Sequence, residues 1–510
     1  MIQLSDDQAE AFDQVTELLR SAGVDLISGD VMQLAEAPTR TIAILGKAGS
    51  GKTLLLAEIV RALSDAGIDV VSGDFESRKR EDKRTFAVLA PTNKAASVLR
   101  NRGVPATTIH RILYTPVYDP EYERIAEWLT GDEERPEVES LTDAALDRAY
   151  EFYRTHKSIP GAFAAAGLRG SDFITGWSRR ESPLDIGLID ESSMLDDAQL
   201  ADLQEIFSTL ILFGDPAQLA PVGQSGNMAF DGLPENRKLR LERIHRQAAD
   251  SPILDLAHAL GDPQLLYDDF AQLVENAARD DERVVIAPRV NAGMMSRAPV
   301  LVWTNKTRIR LIHAFRSAFG APEFELLEGE PLICDGIELP VRHRKKRIDL
   351  EARGLIKGAQ VIYLGPGRKA GFARLHVLGA EDPQVNAASI IKIETPDSEE
   401  PFIASAAHMG AAFVHGAACT IHKAQGSQWP EVQVFAPDLA AAARFGREEA
   451  GIPLWKRLAY VAITRAEERL YWVTRAMLAR PQTALSTEDL RSLTAPVLSL
   501  NAQQTAEVET

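Results

Sequence analysis

Gly46-Lys47-Ala48-Gly49-Ser50-Gly51-Lys52-Thr53 has the spacing of a phosphate-binding loop, G-x-x-x-x-G-K-T. Glycines let backbone N–H groups turn inward around phosphates, and the helix that follows adds a favourable dipole. Lys52 can then reach the β and γ phosphates of ATP, while Thr53 offers its hydroxyl to Mg²⁺. Gly46, Ala48, Gly49, Ser50, Gly51, Lys52 and Thr53 are thus the expected nucleotide contacts, with phosphate binding without hydrolysis as the blander reading. Asp190-Glu191 ends an apolar run, Ile186-Gly187-Leu188-Ile189, where side chains emerge at the carboxyl edge of a parallel sheet. There Asp190 would hold the metal and Glu191 would orient and polarise an attacking water. Without that strand and the glycine loop, the pair would read as ordinary solvated surface. Gln218, after the run Leu210 to Phe213, brings an uncharged amide to the same edge, suited to sensing a γ-phosphate.

The elements that must position these residues are legible as short apolar runs. Thr41 to Leu45, Phe86 to Leu89, Ile186 to Ile189 and Leu210 to Phe213 read as buried parallel strands with helical patterns between some of them. A second set begins at Val300 to Trp303 and resumes at Val432 to Phe435 and Leu470 to Val473. The interruption, 331–409, contains runs such as Gln360 to Leu364 before Gly365-Pro366-Gly367 and predicts a small β domain. Segment 114–180 is acidic and rich in helix formers; composition alone does not assign its fold.

Composition narrows the function classes. The chain has 510 residues, 45% hydrophobic, enough for several cores. A net charge of −17 argues against coating nucleic acid over the whole surface and leaves room for a local basic channel. Arg78-Lys79-Arg80 and the run Arg342 to Arg347 are the basic clusters, each equally readable as a solvated loop. Cys334 and Cys419 lack ligand spacing and are expected to be buried fillers. No apolar run approaches membrane-spanning length and the N-terminus has no signal-peptide pattern, so a cytoplasmic location is expected, in a bacterial or phage-infected cell or an equivalent compartment.

The motifs then fall into a known order. Gly214-Asp215-x-x-Gln218-Leu219-x-Pro221-Val222 resembles motif III of superfamily 1 helicases. Ala90 to Ala96 resembles motif Ia, Thr108 to Arg111 the DNA-contact motif after it, Leu241 to Gln247 motif IV, Cys419 to Ser427 motif V and Tyr460 to Ala466 motif VI. The His-Lys form of motif V and the short chain are similar to the RecD/Dda-like branch, superfamily 1B.

That resemblance implies an α/β fold of two RecA-like P-loop NTPase cores, each carrying an insertion. The first core would take 1–113 and 181–235, the second 236–330 and 410–486, with a tail from 487 to 510 that frays. Residues 331–409 would be an SH3-like accessory domain, and a pin domain is one reading of 114–180. It also implies adenine recognition by Gln8, a nucleotide contact at Gly426, and two arginines, Arg246 and Arg465, directed at the γ-phosphate beside catalytic Lys52, Glu191 and Gln218. Pro91, Thr92, Asn93, Thr108, His110, Thr304, Asn305, Thr420 and His422 would contact the strand. Gln428 stands where relatives commonly have glutamate, so the ribose contact made there is in question. Tyr114, Tyr118 and Trp303 could stack bases, although core packing is the commoner use of such residues.

The implied activity is an ATP- and Mg²⁺-dependent DNA helicase moving 5′→3′ on single-stranded DNA and opening tailed duplexes, alongside single-strand-binding or replication and repair proteins. Two alternatives stay open: an ATP-switched single-strand binder, and a translocase subunit of a RecD-type nuclease complex.

Overall fold

A computed structural model describes residues 4–487 apart from 27–39, 72–83, 157–161, 167–173, 222–226, 244–250, 339–349 and isolated or paired positions elsewhere. Arg246, both basic clusters and most of the C-terminal tail lie outside the described residues.

The first sheet is wholly parallel. Its strands are β1 (Arg40–Gly46), β2 (Asp69–Val70), β3 (Thr85–Ala90), β4 (Ala106–Thr108), β7 (Leu184–Ile189), β8 (Phe207–Gly214) and β9 (Lys238–Leu241). They run in the order β2-β3-β7-β8-β1-β9, with β4 beside β3. Alternation along each strand feeds two cores. Ile42, Ile44, Phe86, Val88, Ile186, Leu188, Ile211 and Phe213 pack against the helices Asp6–Ser21 and Lys52–Asp65. Ala43, Leu45, Ala87, Leu89, Leu210 and Leu212 face the helices Ile109–Leu113 and Asp197–Ile206. Full burial of each such Leu, Ile or Phe stabilises by about 1.5–3 kcal/mol, which makes this sheet a rigid base for the loops at its edge. Gly187 leaves room for its neighbours: a Cβ there would lie 2.9 Å from Leu210 Cδ2 and 3.1 Å from the Phe207 ring, so both would have to shift.

Two expected boundaries move. Residues 236–241 were expected in the second core, yet β9 pairs in parallel with β1, Ala43 to Gly46 against Lys238 to Leu241. The first sheet therefore captures the strand that leads into motif IV. Segment 114–180 is a hairpin, β5 (Tyr114–Tyr118) with β6 (Ile174–Arg179), carrying the helices Pro120–Thr130 and Asp143–His156. Ile125, Leu129, Leu146 and Phe163 give those helices a core of their own.

The second parallel sheet has the order β10 (Val284–Ala287), β23 (Ala466–Val473), β20 (Trp429–Phe435), β12 (Val300–Val302), β19 (Ala418–Thr420). Two short ribbons accompany it, β11 (Val290–Asn291) with β24 (Leu478–Ala479) and β21 (Glu448–Glu449) with β22 (Ile452–Pro453). Between β12 and β19 the chain forms β13 (Pro331–Glu338), β14 (Gln360–Pro366), β15 (Phe372–Val377), β16 (Gln384–Thr395), β17 (Ser398–Ala406) and β18 (Gly410–His415). Pairing runs β15-β14-β13-β18-β16 and returns to β15, so five strands close into a barrel with β17 attached to β16. The expected end of this unit at 409 moves to His415, because β18 completes the ring. Buried Glu330 and His415 tie the two chain crossings to the helix Asn305–Ala318: Glu330 Oε2 lies 2.9 Å from His415 Nε2 and 3.1 Å from Arg316 Nε. Cys334 and Cys419 are both buried, and neither is in a disulfide. Among the described residues no helix is long and apolar enough to cross a membrane.

Candidate active site

β1 delivers the glycine loop to the carboxyl edge of the first sheet, and the helix Lys52–Asp65 leaves from it. Gly49 and Gly51 have φ of 85° and 78°, the left-handed region where side chains are penalised. A Cβ on Gly46 would sit 2.3 Å from Ser50 Oγ. Lys52 Nζ donates to the carbonyls of Gly46 and Lys47, curling over the loop. Ser50 Oγ is buried and has no hydrogen-bond partner among the described residues. A backbone cradle that only glycine permits, a lysine across it and an unsatisfied hydroxyl beneath together fit a polyphosphate.

The acidic pair stands on the strand two places from β1 in the sheet. Asp190 N–H donates to Leu89 O, 2.8 Å, which extends the β7–β3 ladder by one residue. Glu191 then takes φ 52°, ψ 38°, left-handed for a non-glycine residue. Such a conformation costs on the order of 1–3 kcal/mol and persists where surrounding structure enforces it. The turn brings Glu191 Oε2 to 3.0 Å from Gln218 Nε2, whose Oε1 accepts from Ser193 Oγ at 3.3 Å. Gln218 thus holds the carboxylate that would act as base. Burial, and next the negative charge of Glu191, push Asp190 up to about 7, while Lys52 opposes the rise. A cation beside this carboxylate would relieve both causes. Among the described residues no cluster of three or more His, Cys, Asp or Glu could hold a metal. A magnesium here would be held by Thr53 and Asp190 jointly with the nucleotide's phosphates.

The second sheet closes this edge. The helix Leu454–Ile463 crosses to the first core, where Arg457 Nη1 donates to Gln218 O and Tyr460 Oη donates to Asp215 Oδ2 at 2.6 Å. His258 Nε2 lies 3.2 Å from Ala48 O. Gln425 Nε2 donates to Leu219 O at 3.1 Å. Gly426, at φ 70°, approaches so closely that a Cβ would lie 3.0 Å from Thr92 Oγ1. Arg457, Tyr460, His258 and Asp215 were not singled out from sequence; the only signal for two of them, Tyr460 and Asp215, was their membership of motifs whose better-known residues drew attention.

Two expected contacts are arranged differently. Gln8 is fully buried; its Oε1 accepts from Ser5 N in a capping box, and its Nε2 donates to Ser50 O and Gly51 O. Its amide braces the glycine loop where an adenine edge was expected. Arg465 is 5% exposed and donates to Val461 O, Ser427 O and Thr464 Oγ1, all on its own side of the cleft. Burial lowers its pKa and the nearby charge of Glu191 pulls it back.

The expected strand contacts fall on a repeated device. Thr92, Thr108, Thr304 and Thr420 are each the N-cap of a helix that follows a parallel strand, accepting from Ala95 N, Arg111 N, Thr307 N and Lys423 N. β3 and β4 are neighbours in the first sheet, as β12 and β19 are in the second. Pro91 is half-buried, Asn305 accepts from Arg308 Nε at 2.7 Å, and His110 is exposed beside Tyr114, with ring centroids 5.0 Å apart. His422 is half-buried, and burial lowers its pKa. The side chain of Asn93 lies outside the described residues. Tyr114 donates to Asp202, and Trp303 packs on the second core with Phe445 at its edge, so both rings serve packing here.

A model of the AAA domain family matches residues 29–278, and one of the UvrD-like helicase C-terminal domain matches residues 415–473. The ATP-dependent RecD2 DNA helicase of Deinococcus radiodurans is 25% identical over 302 residues, 57% of this chain. Together the two family matches place an AAA domain ahead of a UvrD-like helicase C-terminal domain in this chain. The match to the curated relative spans 36% of that protein's length. Among solved structures, the Pif1 helicase of Candida albicans is 17% identical with a TM-score of 0.45, over 96% of this chain and 98% of that one. A Bacteroides Pif1 bound to single-stranded DNA is 14% identical, TM-score 0.45, over 93% of each. The AAA match covers the glycine loop, the acidic pair and Gly214 to Val222, and the UvrD-like match covers Arg465 and Gly426.

Proposed function

We propose that this chain is an ATP-dependent DNA helicase that moves 5′→3′ on single-stranded DNA, with two RecA-like cores closing on one nucleotide. The observation that carries this reading is the seam itself. A phosphate cradle, an acidic pair and a sensor glutamine on one parallel sheet meet a helix from the other, and both sheets present matched Thr-capped helix N-termini. An N-cap threonine accepts from its helix and keeps its hydroxyl proton to donate, at Thr304 to Thr307 Oγ1, which itself donates to Asp438; with the helix dipole this suits a phosphate backbone read without regard to sequence.

In this reading Lys52 and the loop N–H groups hold the β and γ phosphates, Glu191 takes a proton from the attacking water, and Gln218 keeps Glu191 aimed. Magnesium, when bound, supplies charge neutralisation on the phosphate oxygens. Gly426 and Thr92 lie at the junction of the two strand tracks, so opening and closing the seam changes the spacing between the grips and moves the strand. Gln8 fixes the loop from behind, and Arg246 joins Arg465 at the γ-phosphate. The barrel 331–415 is read as an SH3-like domain that closes over DNA and the hairpin 114–179 as the pin.

The deciding test offers duplexes with a single-stranded tail at either end, with ATP and magnesium. Unwinding of the 5′-tailed substrate in excess over the 3′-tailed one is the expected outcome. The reverse preference removes the polarity, and hydrolysis without unwinding of either favours the ATP-switched binder.

A further inference from the structure

Tyr460 joins three parts of the chain that lie far apart in sequence. It sits on the second-core helix Leu454–Ile463, is 2% exposed, and is one of the largest buried side chains among the described residues. Its hydroxyl makes two bonds, both to the first core. Ala48 N–H, in the glycine loop, donates to it at 2.8 Å, and it donates to Asp215 Oδ2 at 2.6 Å. Asp215 is 1% exposed, and its other oxygen accepts from Ala217 N–H at 3.0 Å, at the turn that sets up Gln218. One helical turn earlier, Arg457 donates to Gln218 O. The helix therefore reaches the loop that cradles phosphate and the loop that aims the base through residues three apart on one face.

We propose that Tyr460 is a positioning residue that locks the glycine loop and the Asp215–Gln218 loop into register when the cores close. This rests on the ATPase reading given above and adds a regulator of that site. A phenol is suited to the task because one hydroxyl accepts and donates at once. It ties a backbone N–H to a buried carboxylate that would otherwise keep only the Ala217 bond. Burial, and next the negative charge of Asp215, raise the Tyr460 pKa well above its ordinary value, so the hydroxyl keeps the proton it donates. A hydrogen bond to a charged group is worth more than a neutral one, so losing this relay should cost about 10- to 100-fold in the closed arrangement.

Tyr460→Phe tests this, because phenylalanine fills the same buried volume and lacks only the hydroxyl. The first readout is hydrogen–deuterium exchange without nucleotide. The peptide spanning residues 46–51 should exchange about tenfold faster, while strand residues 42–45 stay as protected as in the parent. The second is kinetic: turnover with single-stranded DNA should fall about 10- to 100-fold, with the dissociation constant of ADP changed less than about threefold, since the first core binds it alone. A Tyr460 that only fills space would move neither. Unchanged loop exchange, or faster exchange with normal turnover, overturns the proposal. If the parent protein hydrolyses no ATP, the ATPase reading fails, and the exchange measurement still decides whether the latch exists. Should Tyr460→Phe not fold, Asp215→Asn weakens the same relay from its other end and should raise exchange of the same peptide; no change there overturns the latch equally.

Discussion

Arg465→Ala is expected to leave ATP bound while its hydrolysis falls by about 10³- to 10⁵-fold, the contribution of arginine fingers to related phosphoryl transfers. The phosphates would be gripped by Lys52 and the glycine loop, all on the first core, so nucleotide affinity should stay within about an order of magnitude. The geometry adds a second, smaller effect. In the structure the Arg465 guanidinium binds Val461 O, Ser427 O and Thr464 Oγ1. To meet a γ-phosphate it must exchange some of those partners for phosphate oxygens, which a permanently charged fork with five N–H donors can do. Deleting it leaves Ser427 O short of a donor in a buried place, a cost of about 1–3 kcal/mol, which a melting curve would register as a drop of several degrees. Arg465→Lys keeps a charge and loses the fork, so it should recover only part of the rate. Near-normal turnover in Arg465→Ala, with folding verified, would take Arg465 off the catalytic list and leave the role to Arg246.

What could be foreseen from sequence was the local part. Thr41 to Leu45 is apolar throughout because β1 is covered on both faces, and Gly49 and Gly51 occupy positions where only glycine has the required φ at little cost. Asp190-Glu191 follows a buried run and so had to emerge at a sheet edge. The short apolar run Gln360 to Leu364 before Gly365-Pro366-Gly367 likewise pointed to a small β unit. Contacts between distant segments left no local trace. β9 takes its place beside β1 through backbone pairing nearly 200 residues away in sequence, which no periodicity encodes. The ring closure by β18 has the same origin. Tyr460 reads in isolation as one more apolar residue of a helix buried on every side, and only the loops facing it make its hydroxyl a bridge. Gln8 shows the converse. A short polar motif pointed to a ligand, yet a capping box and two loop carbonyls compete for the same amide, and in the structure they hold it.

Glu191→Gln should abolish turnover by a different route, with hydrolysis reduced about 10²- to 10⁴-fold, the usual contribution of a positioned general base. The substitution is chosen for what it preserves. Glutamine has the length of glutamate and tolerates the same left-handed backbone no worse, so the φ of 52° and the aim of the side chain should survive. Its amide oxygen can still accept from Gln218 Nε2, now 3.0 Å from Glu191 Oε2, and Gln218 can still accept from Ser193. What is lost is the lone pair able to take a proton from water, together with one negative charge beside Asp190. Loss of that charge removes a repulsion on incoming phosphates, so ATP should bind at least as tightly as in the parent. The variant should therefore accumulate in the ATP-bound, closed form, in contrast to Arg465→Ala, where closure itself is weakened. Binding and single-turnover hydrolysis measured on the same preparation separate the two. If ATP is bound tightly and the single-turnover rate is unchanged, water is activated by another group, and the carboxylate that Gln218 holds has some other use.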